Sequence, residues 1–395
     1  MTLTRQEQEC ARGAVFDLAS GYPQVALPRY LVEAIRRPTH TSVATTNLFG
    51  VLGAGSGLLH EGLNDALLQF LGPGAGGAEL DLHVTYSGSA AITRTLVACQ
   101  RLAENTGLQG LEVVLLSPCI DIYSLFASEL KGVEIVRIDC VGDVSTPNVE
   151  EVLNCAQSSA AMGMLRVFLI ASPENPTGYI WSYEDLVALV AACNEHRHCL
   201  ILDHAFLMAG VQARTPTAMW DLDTKGLLGC ALWDTGKTFG LNGEKLGFIF
   251  STPVMTAYIE EALSVLQFSV SSYQQSVFAE VLREAKLRGY VNSLTETCRK
   301  NLSVLSSLLN CTGCAVTKPP GASFALVNIE NIFESDARAR QLLLKEGVGV
   351  VTASTFFHNA VLPRSWIRFA LARDESIFAK ALHSVQTVFE RAQRS

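Results

Sequence analysis

The stretch Leu165-Arg166-Val167-Phe168-Leu169-Ile170-Ala171-Ser172-Pro173-Glu174-Asn175-Pro176-Thr177-Gly178 changes character at its middle. The first half is a mainly apolar run of strand length without the strict alternation of a half-exposed strand, so it reads as a strand covered on both faces. The second half is a turn made rigid by two prolines and closed by a glycine, able to aim the Asn175 amide into a cleft at the strand's end. Outward from this stretch the pattern recurs. Strand-length apolar runs at 83–86, 112–116, 134–138, 199–203, 231–234 and 246–251 alternate with helical periodicity at 90–104, 123–131 and 183–195. That alternation predicts an α/β domain with a seven-stranded, mainly parallel sheet.

Beyond residue 271 the pattern becomes long helices, a Pro-Pro-Gly-Ala-Ser turn at 319–323, short apolar strands and a last helix over 375–394, which reads as a smaller α+β domain. The expected division is an arm at 1–45, packing on the small domain or a partner subunit, a large domain at 46–284 and the small domain at 285–395. The glycine-rich pieces at 53–57 and 72–77 do not follow a strand and open a helix as a dinucleotide site requires, so both read as loops.

A chain of 395 residues, 49% hydrophobic and 17% charged, can bury a large core and a subunit interface. Its 38 acidic against 30 basic residues give a net charge of -8, and no Lys/Arg run is long enough to follow a phosphate backbone, which argues against nucleic acid as a partner. Eleven cysteines without framework spacing fit a reducing compartment. Cys311 and Cys314 form a lone C-x-x-C, for which packing outweighs metal or redox chemistry. The polar start, residues 1–13, has no signal-peptide core and no apolar run spans a bilayer, so a cytoplasmic protein is expected, with no membrane partner.

Ligands of an open parallel sheet gather at the carboxyl ends of its strands. After the first strand, Ser87, Gly88 and Ser89 open a helix whose free amides, hydroxyls and dipole suit a phosphate. The run Cys199-Leu200-Ile201-Leu202 ends in Asp203, an acid that needs a cationic partner in such a place. The next strand leads into Asp234-Thr235-Gly236-Lys237-Thr238-Phe239-Gly240, which sets a lysine able to form an imine at the same sheet edge.

In order and spacing these features resemble the fold-type I pyridoxal 5'-phosphate (PLP) enzymes of the class I/II aminotransferase superfamily, across nearly the whole chain. The resemblance implies that Lys237 is catalytic and holds PLP as a Schiff base. It further implies that Asp203 pairs with the pyridinium nitrogen and that Asn175 bonds the cofactor's phenolic oxygen. Ser87, Gly88, Ser89, Asp234 and Lys245 fall in its phosphate segments. It also implies that Arg368, in Ser365-Trp366-Ile367-Arg368-Phe369-Ala370, binds the α-carboxylate of an amino acid together with Asn175. A homodimer with its active site at the interface is implied too. The stretches 347–354 and 321–324 also resemble the family's small domain.

Several positions depart from the family pattern. Phe206 stands where a tyrosine is common, which predicts a protonated imine that persists to higher pH. Ile120 occupies the position of the usual stacking ring, with Tyr123 one turn away. Asp234 replaces a common serine and Lys245 a common arginine, and the two are expected to pair. The region 45–57, which would offer a partner's phosphate-binding tyrosine, holds only Phe49. His204 and His358 read as structural rather than as acids or bases. The expected activity is transamination. The alternative is a non-transaminating PLP enzyme of specialised metabolism performing elimination, replacement, cyclisation or oxidation, since the Asp-Thr-Gly-Lys-Thr stretch faintly resembles enzymes acting on arginine. A catalytically silent binding module is disfavoured by the intact Lys237, Asp203 and Asn175.

Overall fold

The computed structural model describes residues 2–36, 61–72, 80–140, 144–212, 215–267, 270–284, 286–357 and 365–394. An N-terminal arm carries the helix Leu3–Gly13 and a short strand β1 (Phe16–Asp17). Seven strands then enter one sheet: β2 (Asp81–Thr85), β3 (Gly110–Ser117), β4 (Val133–Asp139), β5 (Met164–Ala171), β6 (Cys199–Asp203), β7 (Leu228–Asp234) and β8 (Gly247–Ser251). Their spatial order is β2-β8-β7-β6-β5-β3-β4. Only β8 runs against its neighbours β2 and β7, and the other pairings are parallel. All seven expected strands are present, in a sheet of the expected kind.

The unalternating runs have a direct physical cause. Val114, Leu116, Phe168, Ile170, Leu200 and Leu202 point into one apolar layer, shared with Leu186 and Leu189 of the helix Tyr183–His196. The interleaved Val113, Leu115, Val167, Leu169 and Ile201 point into the other, shared with the helices Gly88–Asn105 and Pro253–Leu266. Each face of the sheet is therefore dry, and a buried Leu, Ile or Val contributes roughly 1.5–3 kcal/mol.

A second core lies around β9 (Phe324–Asn328), β10 (Val348–Gly349), β11 (Val351–Thr352) and β12 (Trp366–Ala370). Three of these form an antiparallel sheet in the order β11-β12-β9, while β10 pairs in parallel with β1 of the arm. The helix Leu287–Asn310 joins the two cores, with Leu287 and Tyr290 in the large one and Leu294 to Leu309 in the small one. The turn at 319–323 is the other bridge. Gly321 N–H donates to the Gly178 carbonyl at 2.9 Å, and Val211 N–H to the Ala322 carbonyl at 2.9 Å. A Cβ on Gly210, whose φ is +127°, would lie 1.9 Å from the Ala322 oxygen, so only glycine permits this approach. The prolines and glycines of that turn thus serve to press the second core against the Asn175 turn.

The pieces at 53–57 and 45–57, with Phe49, lie outside the described residues, as do 73–77 and His358. Gly72 ends the helix Glu61–Leu71 at φ +108°. None of the eleven cysteines, Cys311 and Cys314 among them, is in a disulfide, and no cluster of three or more metal-ligating side chains occurs among the described residues. No helix among those residues is long and apolar enough to cross a membrane.

Candidate active site

The carboxyl ends of β2, β5, β6 and β7 open on one cavity of about 560 Å³, closed from above by the arm. Of the residues singled out from sequence, Gly88, Ser89, Asn175, Asp203, Asp234, Lys237 and Lys245 all line it. Ser87 does not. Its hydroxyl caps the helix Gly88–Asn105 by accepting from Ala90 N–H at 3.1 Å, which satisfies one amide of the first turn and leaves the start of that helix facing the cavity through Gly88 and Ser89.

Asp203 ends β6 in a buried position. Its Oδ2 accepts from the Tyr123 hydroxyl at 2.7 Å and its Oδ1 from Ala205 N–H at 2.9 Å. Burial raises its pKa above the usual carboxylate value, and those two hydrogen bonds oppose the rise. Lys237 sits on the single helical turn Thr235–Phe239 that follows β7. Its Nζ lies 3.3 Å from the ring centroid of Tyr22 and 5.9 Å from that of Phe206. Burial pulls this amine below the ordinary lysine value against the nearby charges of Asp234, Glu7 and Asp203, which favours the neutral, nucleophilic form.

Asp234 and Lys245 do not form the expected pair. Asp234 Oδ1 accepts from Gly236 N–H at 2.9 Å and Lys237 N–H at 3.2 Å, capping the helical turn that carries the lysine. Its Oδ2 is so close to Gly88 that a Cβ there would lie 2.8 Å away. Lys245 instead donates to the Tyr22 hydroxyl at 2.8 Å and to Asn242 Oδ1 at 2.9 Å. A helix cap two residues away was nearer to the Asp234 carboxylate than any side chain eleven positions on.

Arg368, on β12, is fully buried one hydrogen bond behind the cavity wall. It donates to Asn175 Oδ1 at 2.8 Å, to the Ala19 carbonyl at 2.6 Å and to Glu7 Oε1 at 3.2 Å. Its Nε is buried without a partner, and its guanidinium lies 4.2 Å from the ring centroid of Phe324. Burial lowers its pKa, with Glu7 foremost among the charges that resist. Ile120 lines the cavity where a ring was missing, and Phe206 packs edge-on against Phe324 at 5.0 Å and brings no hydroxyl. His204 is buried with both nitrogens engaged, bonded at Nδ1 to the Ser172 carbonyl and accepting at Nε2 from Met219 N–H, which makes it a structural, neutral imidazole.

Sequence reasoning missed two contributors from the arm and the residue that anchors it. Tyr22 and Glu7 reach the cavity, and Arg373 holds the arm there through the carbonyls of Asp17, Ser20 and Tyr22. The only signal for Tyr22 was its place between Gly21 and Pro23. Tyr123 was noticed, but its bond to Asp203, eighty residues on, was not.

These residues suit PLP. A desolvated acid at Asp203 fits a protonated ring nitrogen, a lysine held below its ordinary pKa fits an aldehyde, and a helix start beside Lys245 fits a phosphate. The buried Arg368 with an unpartnered Nε fits a carboxylate.

Known proteins agree. Methionine aminotransferase of Escherichia coli is 24% identical over 368 residues, which cover 92% of this chain and 90% of that protein. Mouse kynurenine–oxoglutarate transaminase 1 is 20% identical, over 92% of this chain and 89% of its own. Among solved structures, the E. coli methionine aminotransferase superposes with a TM-score of 0.80 at 21% identity, covering 98% of this chain and 96% of its own. An aromatic aminotransferase of Pyrococcus horikoshii superposes with a TM-score of 0.80 at 20% identity over the full length of both chains. The names of these relatives support an aminotransferase over the eliminating, cyclising or oxidising alternative. The profile of the family described as aminotransferase class I and II matches residues 14–385, and the chain belongs to that family of enzymes.

Proposed function

We propose that this aminotransferase holds PLP through Lys237 and moves the amino group of an amino acid to a 2-oxo acid. The observation that carries the reading is the convergence, on one cavity, of a lysine amine held below its ordinary pKa, a buried acid at Asp203 and the Asn175–Arg368 pair. When bound, PLP supplies the electron sink for the pair released at the substrate Cα. Asp203 keeps a proton on the ring nitrogen, and Tyr123 fixes the carboxylate that does so. Lys237 Nζ would hold the cofactor at its aldehyde carbon, and the same amine would take and return the proton at the substrate Cα. Arg368 would grip the α-carboxylate, and Asn175, with its Oδ1 committed to Arg368, keeps its amide N–H groups for the cofactor's phenolic oxygen. The start of the helix Gly88–Asn105 and Lys245 receive the phosphate.

The same reading takes the enzyme to be a cytoplasmic homodimer. Eleven cysteines without framework spacing support a reducing compartment, and the hydrophobic composition supports a subunit interface. The purified protein is expected to show a visible absorption band that shifts when one amino acid is added and returns when a 2-oxo acid follows. Lys237→Ala should abolish both the band's shift and turnover. A protein that stays colourless with added PLP would overturn the reading.

A further inference from the structure

Tyr22 is placed with unusual firmness for a residue of an N-terminal arm. Its carbonyl accepts from Arg373 Nη1 at 2.9 Å, and the same guanidinium, only 1% exposed, also holds the carbonyls of Ser20 and Asp17. The ring thereby stands over Lys237 Nζ, and the hydroxyl oxygen receives a hydrogen bond from Lys245 Nζ at 2.8 Å. An ammonium can only donate, so the phenol acts as acceptor in that bond and its own hydrogen remains for another oxygen. Lys245 spends a second N–H on Asn242 and keeps a third. Burial, with Asp234 adding to it and Lys245 opposing, holds the Tyr22 hydroxyl above its ordinary pKa, so it stays a donor at neutral pH.

Tyr22, Lys245 and Asp234 also converge on Gly236. A Cβ there would lie 3.1 Å from Lys245 Cδ, 3.1 Å from Tyr22 Cε1 and 3.3 Å from Asp234 Oδ1. Two spare donors, one of them cationic, thus meet beside the cavity that Gly88 and Ser89 also line, and together they suit an anion with several acceptor oxygens.

We propose that Tyr22 is a phosphate ligand of the cofactor, its hydroxyl donating to the phosphate that Lys245 and the helix start at Gly88 hold. The proposal rests on the reading that this chain binds PLP. It assigns to the chain's own arm a hydroxyl that reads the phosphate group, so that cofactor retention depends on the arm being docked.

The test is a titration of the full-length apoprotein with PLP and with pyridoxal, which lacks the phosphate, following visible absorbance for the wild type, Tyr22→Phe and Tyr22→His. Losing one hydrogen bond to a charged group predicts that Tyr22→Phe weakens PLP about 10- to 100-fold. Pyridoxal should change by less than about twofold, because it makes no phosphate contact. Tyr22→His, which restores an N–H donor, should recover part of the preference for PLP. An unchanged PLP affinity in Tyr22→Phe would overturn the proposal, as would equal losses for both aldehydes, since the ring would then act by packing alone. Failure of the wild type to take up either aldehyde would overturn the cofactor reading itself, a result distinct from both.

Discussion

Arg368 and Asn175 share a 2.8 Å hydrogen bond across 193 residues, and it joins β12 to the turn after β5. The bond fixes which way the Asn175 amide faces and holds one arm of a guanidinium that also meets Glu7, the Ala19 carbonyl and the rings of Phe324 and Phe356. A planar fork can serve Asn175 and a substrate carboxylate together, and an ammonium cannot. Arg368→Lys should therefore raise KM for the amino acid at least about 10-fold, with a smaller fall in kcat. Steady-state kinetics in both substrates decide it, and a variant with unchanged KM would remove Arg368 from the substrate site.

Glu7 already offers Arg368 a carboxylate. Its Oε1 accepts from Arg368 at 3.2 Å and from Gly21 N–H at 3.2 Å, the partners that an incoming α-carboxylate would also want. Substrate must then compete with the helix Leu3–Gly13 for the same cation. Glu7→Gln should lower KM roughly 3- to 10-fold while reducing thermal stability, because a buried guanidinium loses its neutralising charge. A rise in KM would show instead that Glu7 helps to seat the substrate.

Tyr123 holds Asp203, the acid proposed to face the cofactor's ring nitrogen, by a 2.7 Å hydrogen bond. Its hydroxyl lowers the pKa of a carboxyl that burial raises. Without that bond Asp203 needs a higher pH to ionise, so Tyr123→Phe should move the acid limb of the kcat profile upward. It should also cut kcat by about 10-fold with little change in KM. An acid limb that stays in place would make Tyr123 a packing residue only.

The sequence exposed the sheet and the strand-end residues because both are local signals. An apolar run without alternation marks a strand covered on two faces, and Asp203 or Lys237 is conspicuous for directly following one. The arm was opaque for the opposite reason. Leu18 is tied to Gly349 and Ala370, and Gln6 to Thr352 and Thr355, so Glu7 and Tyr22 reach the site through bonds that span more than 300 residues. No window of sequence contains both partners of such a contact. Asp234 misled in another way, since its standing with Lys245 at two departures from the family's phosphate segments suggested an ion pair while its place before a helical turn made it a cap.

Glu174, in the turn that aims Asn175, gives a pH test of the fold itself. It is buried, with Oε2 accepting from Thr177 Oγ1 at 3.3 Å, and burial pushes its pKa up to about 8 despite that bond. The folded chain therefore keeps a proton there that the unfolded chain releases near the ordinary value of 4.5. Stability from this group is complete below the unfolded value and is lost as pH rises toward 8, because across that window the native state binds more protons. His204 slopes the other way. Burial pulls its pKa from 6.5 down to about 4, so its contribution is complete above 6.5 and is lost as pH falls toward 4. Where the windows overlap the two slopes oppose. Glu174→Gln keeps the shape and removes the ionisation. It should leave stability near wild type at pH 4 and raise it by roughly 4–5 kcal/mol at pH 8 and above. It should also uncover a midpoint that rises with pH between 4 and 6.5. Denaturant midpoints for both proteins across pH 4–9 supply the comparison, and a difference that stays constant with pH would mean that Glu174 is not the group that titrates.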